Sequence, residues 1–574
     1  MQTVKWWQNA VIYHILPRSF MDTTGDGEGD LNGIISKLDY ICALGVDAIW
    51  MCPIYESPRE DLGYDPTDLR NIDPVYGSLD DFDRLVSLAQ ARGLKVFLDQ
   101  IWSHTSHKHP WFLESRENRT NAKADWYIWA DPNPDGTPPN NWLSAFGGSA
   151  WAWCPEREQF YMHNFLKSQP DLNWHNPEVI DAVFEEARFW LERGVDGFRL
   201  DAVNFYIHDP ELRNNPVRSP DDPIPEGVSM RNPFARQLFV YNFCRPETLD
   251  YLNRIRQLVA EYSVITLGEV TLCEDSVALA AEYTAGDEKL HLAYNSALLF
   301  EEPMTASRIR HALERVIDKF QEDDGMCWMV GNHDYGRLRS CWTGKDEEGN
   351  PYSDEFYQMM AGVLVSLPGA FCLYQGDELG LPVARIPEDI PVEAMQDPFG
   401  KELYPAIQGR DGSRTPIPWV ADAPNAGFTT GEQSWLPIPK GHLERAVNIE
   451  DNQPNSLLNT WRRLLHWRKG QPAMMHGNCE IMETPDPLFG FIRETEEQKL
   501  LCLFNMSNEP VDYDLSAYDP CRPFRTPYLQ KLTIKDGKVH LPGYGVFFGS
   551  LLSVSEQSDR LPFSPPVAKE AISS

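Results

Sequence analysis

The sequence predicts an α/β protein: a (β/α)8 TIM barrel with a small domain inserted after its third strand and a C-terminal β-sandwich. Three observations predict it. Apolar, strand-like runs alternate with amphipathic helical stretches through most of the 574 residues. Several of those helices stop at a glycine that feeds straight into the next strand, in Gly45-Val46-Asp47, Gly93-Leu94-Lys95 and Gly194-Val195-Asp196, the residue expected just past a helix end. Beyond Met475 the helical period gives way to alternating segments divided by turn-formers.

Taken in order, the strands read as 11–20, 48–53, 95–104, 197–203, 264–270, 291–300, 327–334 and 370–379. Eight helices are read in alternation with them, among them 31–44, 79–91, 177–193, 246–262, 307–320 and 357–367, with 456–468 the last. Eight strands in this alternation close a barrel. A doubly wound open sheet competes, weakened by the missing glycine fingerprint after the first strand. Two connections exceed ordinary loop lengths. Residues 105–171, rich in Trp, Asn, Pro and Gly, suffice for a small domain over the barrel mouth, and residues 380–455 read as a lid-like excursion. The barrel then takes 1–104 and 172–475, the inserted domain 105–171 and the β-sandwich 476–554. The Ser- and Pro-rich stretch 555–574 reads as a flexible tail.

A formal charge of −34 opposes binding to nucleic acid or an anionic membrane surface and suits a small neutral substrate. Eleven cysteines without a C-x-x-C pair fit reduced, buried thiols of a cytoplasmic protein better than a disulfide framework or a zinc site. Residues 11–16 read as a strand with no small-residue cleavage site after them, so no signal peptide is expected. No apolar run reaches the roughly eighteen residues that span a membrane. A monomer or homodimer is expected.

Active sites of such barrels lie where the strands end. The strand ends here offer His104, Arg199 and Asp201, Glu269, and His333-Asp334. Alternate residues of a strand share a face, so Arg199 and Asp201 should project together. A fixed cation beside a carboxylate keeps it ionised, as a nucleophile requires. Alone, Arg199 and Asp201 read as a structural ion pair, and Glu269 is balanced between roles. Three acids at three strand ends are harder to account for structurally, since buried like charges repel. An enzyme tolerates that when an ionised nucleophile must sit beside a protonated acid. Metal ligation ranks lower, because Arg199 opposes a cation.

Seven motifs now stand in order: Asp99-Gln100-Ile101-Trp102-Ser103-His104, Gln169-Pro170-Asp171-Leu172-Asn173, Gly197-Phe198-Arg199-Leu200-Asp201, Gly268-Glu269-Val270, Gly331-Asn332-His333-Asp334, Tyr374-Gln375-Gly376-Asp377-Glu378-Leu379-Gly380 and Gly409-Arg410-Asp411-Gly412-Ser413-Arg414-Thr415-Pro416. With them the chain resembles the α-amylase superfamily, in its oligo-1,6-glucosidase and α-glucosidase branch, from residue 5 to about residue 475. The resemblance implies Asp201 as nucleophile, Glu269 as general acid/base and Asp334 as the group that grips sugar hydroxyls in the transition state. It also implies Tyr64, Asp65, His104, Arg199, His333 and Arg410 around the glucosyl ring. Two carboxyls about 5–5.5 Å apart would suit retaining hydrolysis. Phe146 and Phe165 are candidates for apolar walls to the sugar, with core packing the near-equal alternative. Ser103 replaces an asparagine that supports calcium in many relatives, so that calcium is not expected. Tyr335-Gly336 and Asp377 also depart from the usual pattern and point to an unusual aglycone side.

Residues 22–30 place oxygens at positions 1, 3, 5 and 9 of an EF-hand-like loop, with Gly27 at the turn but Gly33 at position 12. Members of the branch bind structural Ca2+ or Mg2+ here, which implies Asp22, Thr24, Asp26, Asp30 and the Glu28 carbonyl as ligands. An acidic turn capping the helix from Leu31 is the alternative. In this branch valine after the nucleophile goes with α-1,6 linkages and a smaller residue with α-1,4, so Ala202 points to maltose-like substrates. The resemblance thus implies an exo-acting, retaining α-glucosidase for short α-glucosides such as maltose or sucrose. A glucosyltransferase or sucrose-type enzyme with strong transglycosylation is the alternative. A non-catalytic transporter subunit is disfavoured by the three retained acids.

Overall fold

The computed structural model describes residues 5–551, apart from 223, 225, 226, 301, 322, 323, 348, 388, 519, 520 and 525–531. The tail expected at 555–574 lies outside the described residues. Eight parallel strands close a barrel in chain order: β1 Val11–Ile15, β2 Ala48–Met51, β3 Lys95–Gln100, β4 Gly197–Leu200, β5 Ile265–Glu269, β6 Leu292–Tyr294, β7 Met326–Met329 and β8 Ala370–Tyr374. β1 and β8 are buried throughout, as parallel strands covered on both faces must be. Trp50, Phe97, Leu267, Tyr294 and Met329 belong to one buried apolar cluster. All eight strands are present where expected, and each is shorter. Pairing stops once the backbone turns away to build the site, at Gln100 in β3 and Leu200 in β4.

The helices begin and end on local chemistry. Asp30 caps Leu31–Ser36 by accepting from the Gly33 N–H, Ser78 and Asp81 form a capping box, and Asn176 caps a helix with Pro177 in its first turn. Gly45, Gly93 and Gly194 take φ of 93°, 80° and 84°, the left-handed turn that ends a helix most readily at glycine. Two features were not expected. A helix at Ser276–Thr284 follows β5; its apolar sequence is buried on most sides and so carries no amphipathic period. A third long connection, residues 201–247, separates β4 from the helix Thr248–Ala260.

The inserted segment holds the helix Pro110–Glu117 and an antiparallel sheet with Gln159–Met162 between Trp129–Ala130 and Trp151–Cys154. Bridges His104–Asp171 and Tyr127–Leu172 tie its ends together. The chain divides into two compact units, residues 1–304, 308–357 and 369–459, and residues 305–307, 358–368 and 460–574. The second contains antiparallel sheets of five and three strands, around a core that includes Leu488, Leu501, Leu503, Leu541 and Phe547. Among the described residues no helix is long and apolar enough to cross a membrane.

Candidate active site

Register sets the centre of the site. β3 pairs with β4 so that Asp99 lies beside Arg199, and both side chains enter the barrel fully buried. Arg199 Nη1 donates to Asp99 Oδ1 at 2.8 Å and to Asp201 Oδ1 at 2.5 Å. Its Nη2 donates to Glu269 Oε2, at the end of β5, and to the Tyr294 hydroxyl at 2.8 Å. One guanidinium therefore spans three carboxyls, using the planar fork that sets arginine apart from lysine. Asp99 is held in turn by the Tyr64 hydroxyl at 2.9 Å and by Trp50 Nε1 at 3.2 Å.

The charges explain what each acid can do. Burial pushes the Asp201 carboxyl well above 3.8, Arg199 opposes that, and Glu269 and Asp99 add to it. Asp99 is pushed up to about 6 by burial against the pull of Arg199. One cation cannot neutralise three carboxylates in a dry site, so burial and the neighbouring acids favour the neutral forms of Asp201 and Asp99. Glu269 Oε2 is occupied by Arg199 and by the Ala202 N–H at 2.9 Å, which leaves Oε1 as the oxygen available to a proton or a substrate. Asp201 Oδ2 has no hydrogen-bond partner among the described residues. The arrangement offers an acid and a free carboxylate oxygen on one arginine.

Asp334 behaves oppositely. Burial alone would raise its pKa, but His333, Arg410 and Arg414 outweigh burial and hold it below the usual carboxylate range. Arg410 reaches it at 2.6 Å and Arg414 at 3.0 Å. His333 lies 3.2 Å from Asp334, but burial pushes that imidazole down to about 3. It is neutral at ordinary pH, and the two arginines keep Asp334 ionised. Arg410 also binds Asp397 at 2.6 Å and Asp61 at 3.1 Å, so a knot of five charged groups walls the site.

Asp201, Glu269 and Asp334 line one cavity of about 1590 Å³ with Tyr64, His104, Phe146, Phe165, His333 and Arg410. His104 reaches it with both ring nitrogens occupied, Nε2 at 2.7 Å from the Tyr64 carbonyl and Nδ1 at 2.9 Å from Ser103 Oγ. Tyr64 stacks on His333 with ring centroids 5.3 Å apart. Phe146 and Phe165 line the cavity and belong to one apolar cluster with Phe205 and Phe243. Asp65 does not line it. It is buried beneath the loop, accepts from Ser57 Oγ at 2.7 Å and the Glu60 N–H at 2.9 Å, and is pushed by burial to about 7. Its neighbour Asp61 faces the cavity instead. Asp377 is likewise off the cavity, accepting from the Leu338 N–H, whereas Tyr335 lines it.

Ala202 follows the nucleophile in a left-handed conformation, φ 43° and ψ 46°. That turn aims its N–H at Glu269. A β-branched residue fits such a conformation poorly, and the Ala202 methyl lies among Phe146, Phe205 and Phe234.

The loop of residues 22–30 carries hard oxygen donors suited to Ca2+ or Mg2+, but its carboxylates are turned to the loop's own groups. Asp22 accepts from the N–H groups of Thr24, Gly25 and Gly27 and from Thr429 Oγ1 at 2.5 Å. Asp30 accepts from Thr23 and Gly33, Asp26 from the Glu28 N–H, and the Glu28 carboxylate pairs with Arg18 and Arg59. Among the described residues, Asp22, Asp26, Glu28 and Asp30 bring no three carboxylate oxygens within 4.8 Å of one another. As arranged, the loop's carboxylates cap its own N–H groups.

Comparison with known proteins places the chain. The model of the α-amylase catalytic domain matches residues 14–477, so the protein belongs to the α-amylase family of glycoside hydrolases. It is 45% identical to a "Probable alpha-glucosidase" of Rhizobium meliloti, over 95% of this chain and 97% of that protein. It is 36% identical to the trehalose-6-phosphate hydrolase of Escherichia coli, over 88% and 91% of the two chains. Among solved structures it is similar to the alpha-glucosyl transfer enzyme XgtA, with a TM-score of 0.90 and 46% identity over 96% of this chain and all of that one (100%).

Proposed function

We propose that the protein is a retaining, exo-acting α-glucosidase that removes the terminal non-reducing glucosyl residue of short α-glucosides. The observation that carries this is the Asp201 and Glu269 pair held on the two ends of the Arg199 guanidinium. Asp201 Oδ2 attacks the anomeric carbon while Glu269 gives its proton to the departing glycosidic oxygen. Glu269 then takes a proton from water, which attacks the glucosyl-Asp201 ester and restores both carboxyls. Asp334, kept ionised by Arg410 and Arg414, binds sugar hydroxyls. The ion-pair knot of Asp61, Arg410 and Asp397 in the wall favours a terminal sugar over a polymer threading through. Eleven cysteines without a C-x-x-C pair favour a reducing, cytoplasmic setting.

Ala202 leaves room for a 4-linked aglycone. Maltose is expected to be hydrolysed faster than isomaltose, a comparison best made within a panel that adds sucrose, trehalose and maltotriose. Equal or reversed rates on the two disaccharides would overturn the linkage reading. The 46% identity to a glucosyl transfer enzyme supports a second reading, in which a sugar hydroxyl replaces water in the second step. Trisaccharides formed at high maltose concentration identify it.

A structural divalent cation at Asp22, Thr24, Asp26, Glu28 and Asp30 is a proposal resting on donor chemistry alone, and no step of the reaction passes through it. Melting with and without EDTA decides it: a lower Tm in EDTA supports the ion, and an unchanged Tm leaves the loop as a capped turn.

A further inference from the structure

Beneath the sugar-facing layer, two side chains that the reaction does not use, His14 and Cys52, meet His333 of the cavity wall. His14, at 0% exposure, stacks flat on Trp50 with ring centroids 3.7 Å apart. Its Nε2 is 3.1 Å from Cys52 Sγ, and its ring meets His333 edge-on at 5.2 Å. One ligand atom from each of His14, Cys52 and His333 can be chosen so that all lie within 4.8 Å of one another. Among the described residues, Nδ1 of His14 and Nδ1 of His333 are buried without a hydrogen-bond partner, and a buried polar atom left unpaired calls for an explanation. A thiol–imidazole hydrogen bond inside an apolar wall would account for Cys52 alone. It leaves both orphaned nitrogens and the convergence of the third ring unexplained.

We propose that His14, Cys52 and His333 form a binding site for a soft or borderline closed-shell cation, with Zn2+ as the type case, and that the ion blocks the sugar pocket from beneath. Two imidazoles and a thiolate are the donor set for such ions, and around zinc the donor atoms stand about 3.3–3.6 Å apart. The three side chains must turn to reach that spacing, and three protein donors leave the fourth position of a tetrahedral ion to water. The thiol proton is released as the sulfur–metal bond forms. Entry is through the cavity, since His333 and Tyr64 line it and the Tyr64 hydroxyl lies 3.6 Å from Cys52 Sγ. Binding at His333 draws its ring away from the sugar, so inhibition should compete with substrate.

The binding half of this proposal is independent of the glucosidase reading; the inhibition half rests on it. The test is calorimetric titration of the intact, chelator-treated enzyme with Zn2+ alone. It is repeated for Cys52→Ser and His14→Gln, each checked for an unchanged Tm. A parallel titration with Co2+ reads the near-ultraviolet sulfur-to-cobalt charge-transfer band. One ion per chain is expected, with affinity at least tenfold weaker in each variant, loss of the band in Cys52→Ser, and weaker binding in excess glucose. Eleven cysteines are present, so Zn2+ bound equally well by both variants would assign the ion elsewhere and overturn the proposal. So would the absence of saturable binding to the parent enzyme. Should Cys52→Ser fail to fold, His14→Gln decides by the same criterion. Zn2+ binding as described without competitive inhibition would keep the site and remove its effect on the sugar pocket.

Discussion

Asp201→Asn is expected to lower kcat on maltose by about 10⁴-fold or more while leaving the protein at least as stable as the parent at neutral pH. The two halves share one cause. Asp201 is buried beside two other carboxyls and one arginine, and burial raises its pKa well above 3.8. A carboxyl raised in the folded state contributes stability that is complete below about pH 4 and is lost as pH climbs through its folded value. The amide never ionises, so the variant escapes that loss, and it still accepts a hydrogen bond from Arg199. It cannot form the glucosyl ester. Steady-state rates give the first half, and Tm at pH 5 and 7.5 gives the second. The stability difference should move in favour of the variant as pH rises. A variant within tenfold of parental kcat would remove Asp201 from the nucleophile's role.

How much of this was legible in the sequence depends on how local each signal is. The barrel was, because glycine at a helix end and an apolar run after it are properties of neighbouring residues; Gly45, Gly93 and Gly194 all adopt the left-handed turn. The helix Ser276–Thr284 was not, since a helix buried on most sides has no polar face to betray it. Within the site, Arg199 and Asp201 are two apart on one strand, and their shared direction follows from the strand itself. Asp99 needed the register between β3 and β4, which no local pattern encodes. Asp61 and Asp65 lie four residues apart in one loop. Only the fold decides that Asp61 meets Arg410 while Asp65 turns under Ser57. Ala202 was singled out for its size, but its left-handed backbone and the N–H it gives Glu269 are visible only in three dimensions.

Arg199→Met is expected to cost about 3–5 kcal/mol at pH 7.5, the usual penalty for leaving buried charge without its partner, and to abolish most activity. Methionine fills similar space, so the loss is electrostatic in origin. Asp99 stands at about 6 with Arg199 in place, and without the arginine it and Asp201 move higher still. Carboxyls raised in this way give up stability as pH rises through their folded values, so the deficit should be large at pH 7.5 and shrink toward pH 5 as Asp99 and Asp201 take up protons. Denaturant midpoints of parent and variant at the two pH values measure it. A deficit below 1 kcal/mol at pH 7.5, or one that does not shrink on acidification, would contradict the charge balance described for the site. Arg199→Lys separates charge from shape. An ammonium restores one positive charge, but it cannot reproduce a fork whose Nη1 serves Asp99 and Asp201 while Nη2 serves Glu269 and Tyr294. Lysine should therefore recover a good part of the stability and little of kcat, because ionising Asp201 is not enough unless Glu269 is held on the other side of the same group.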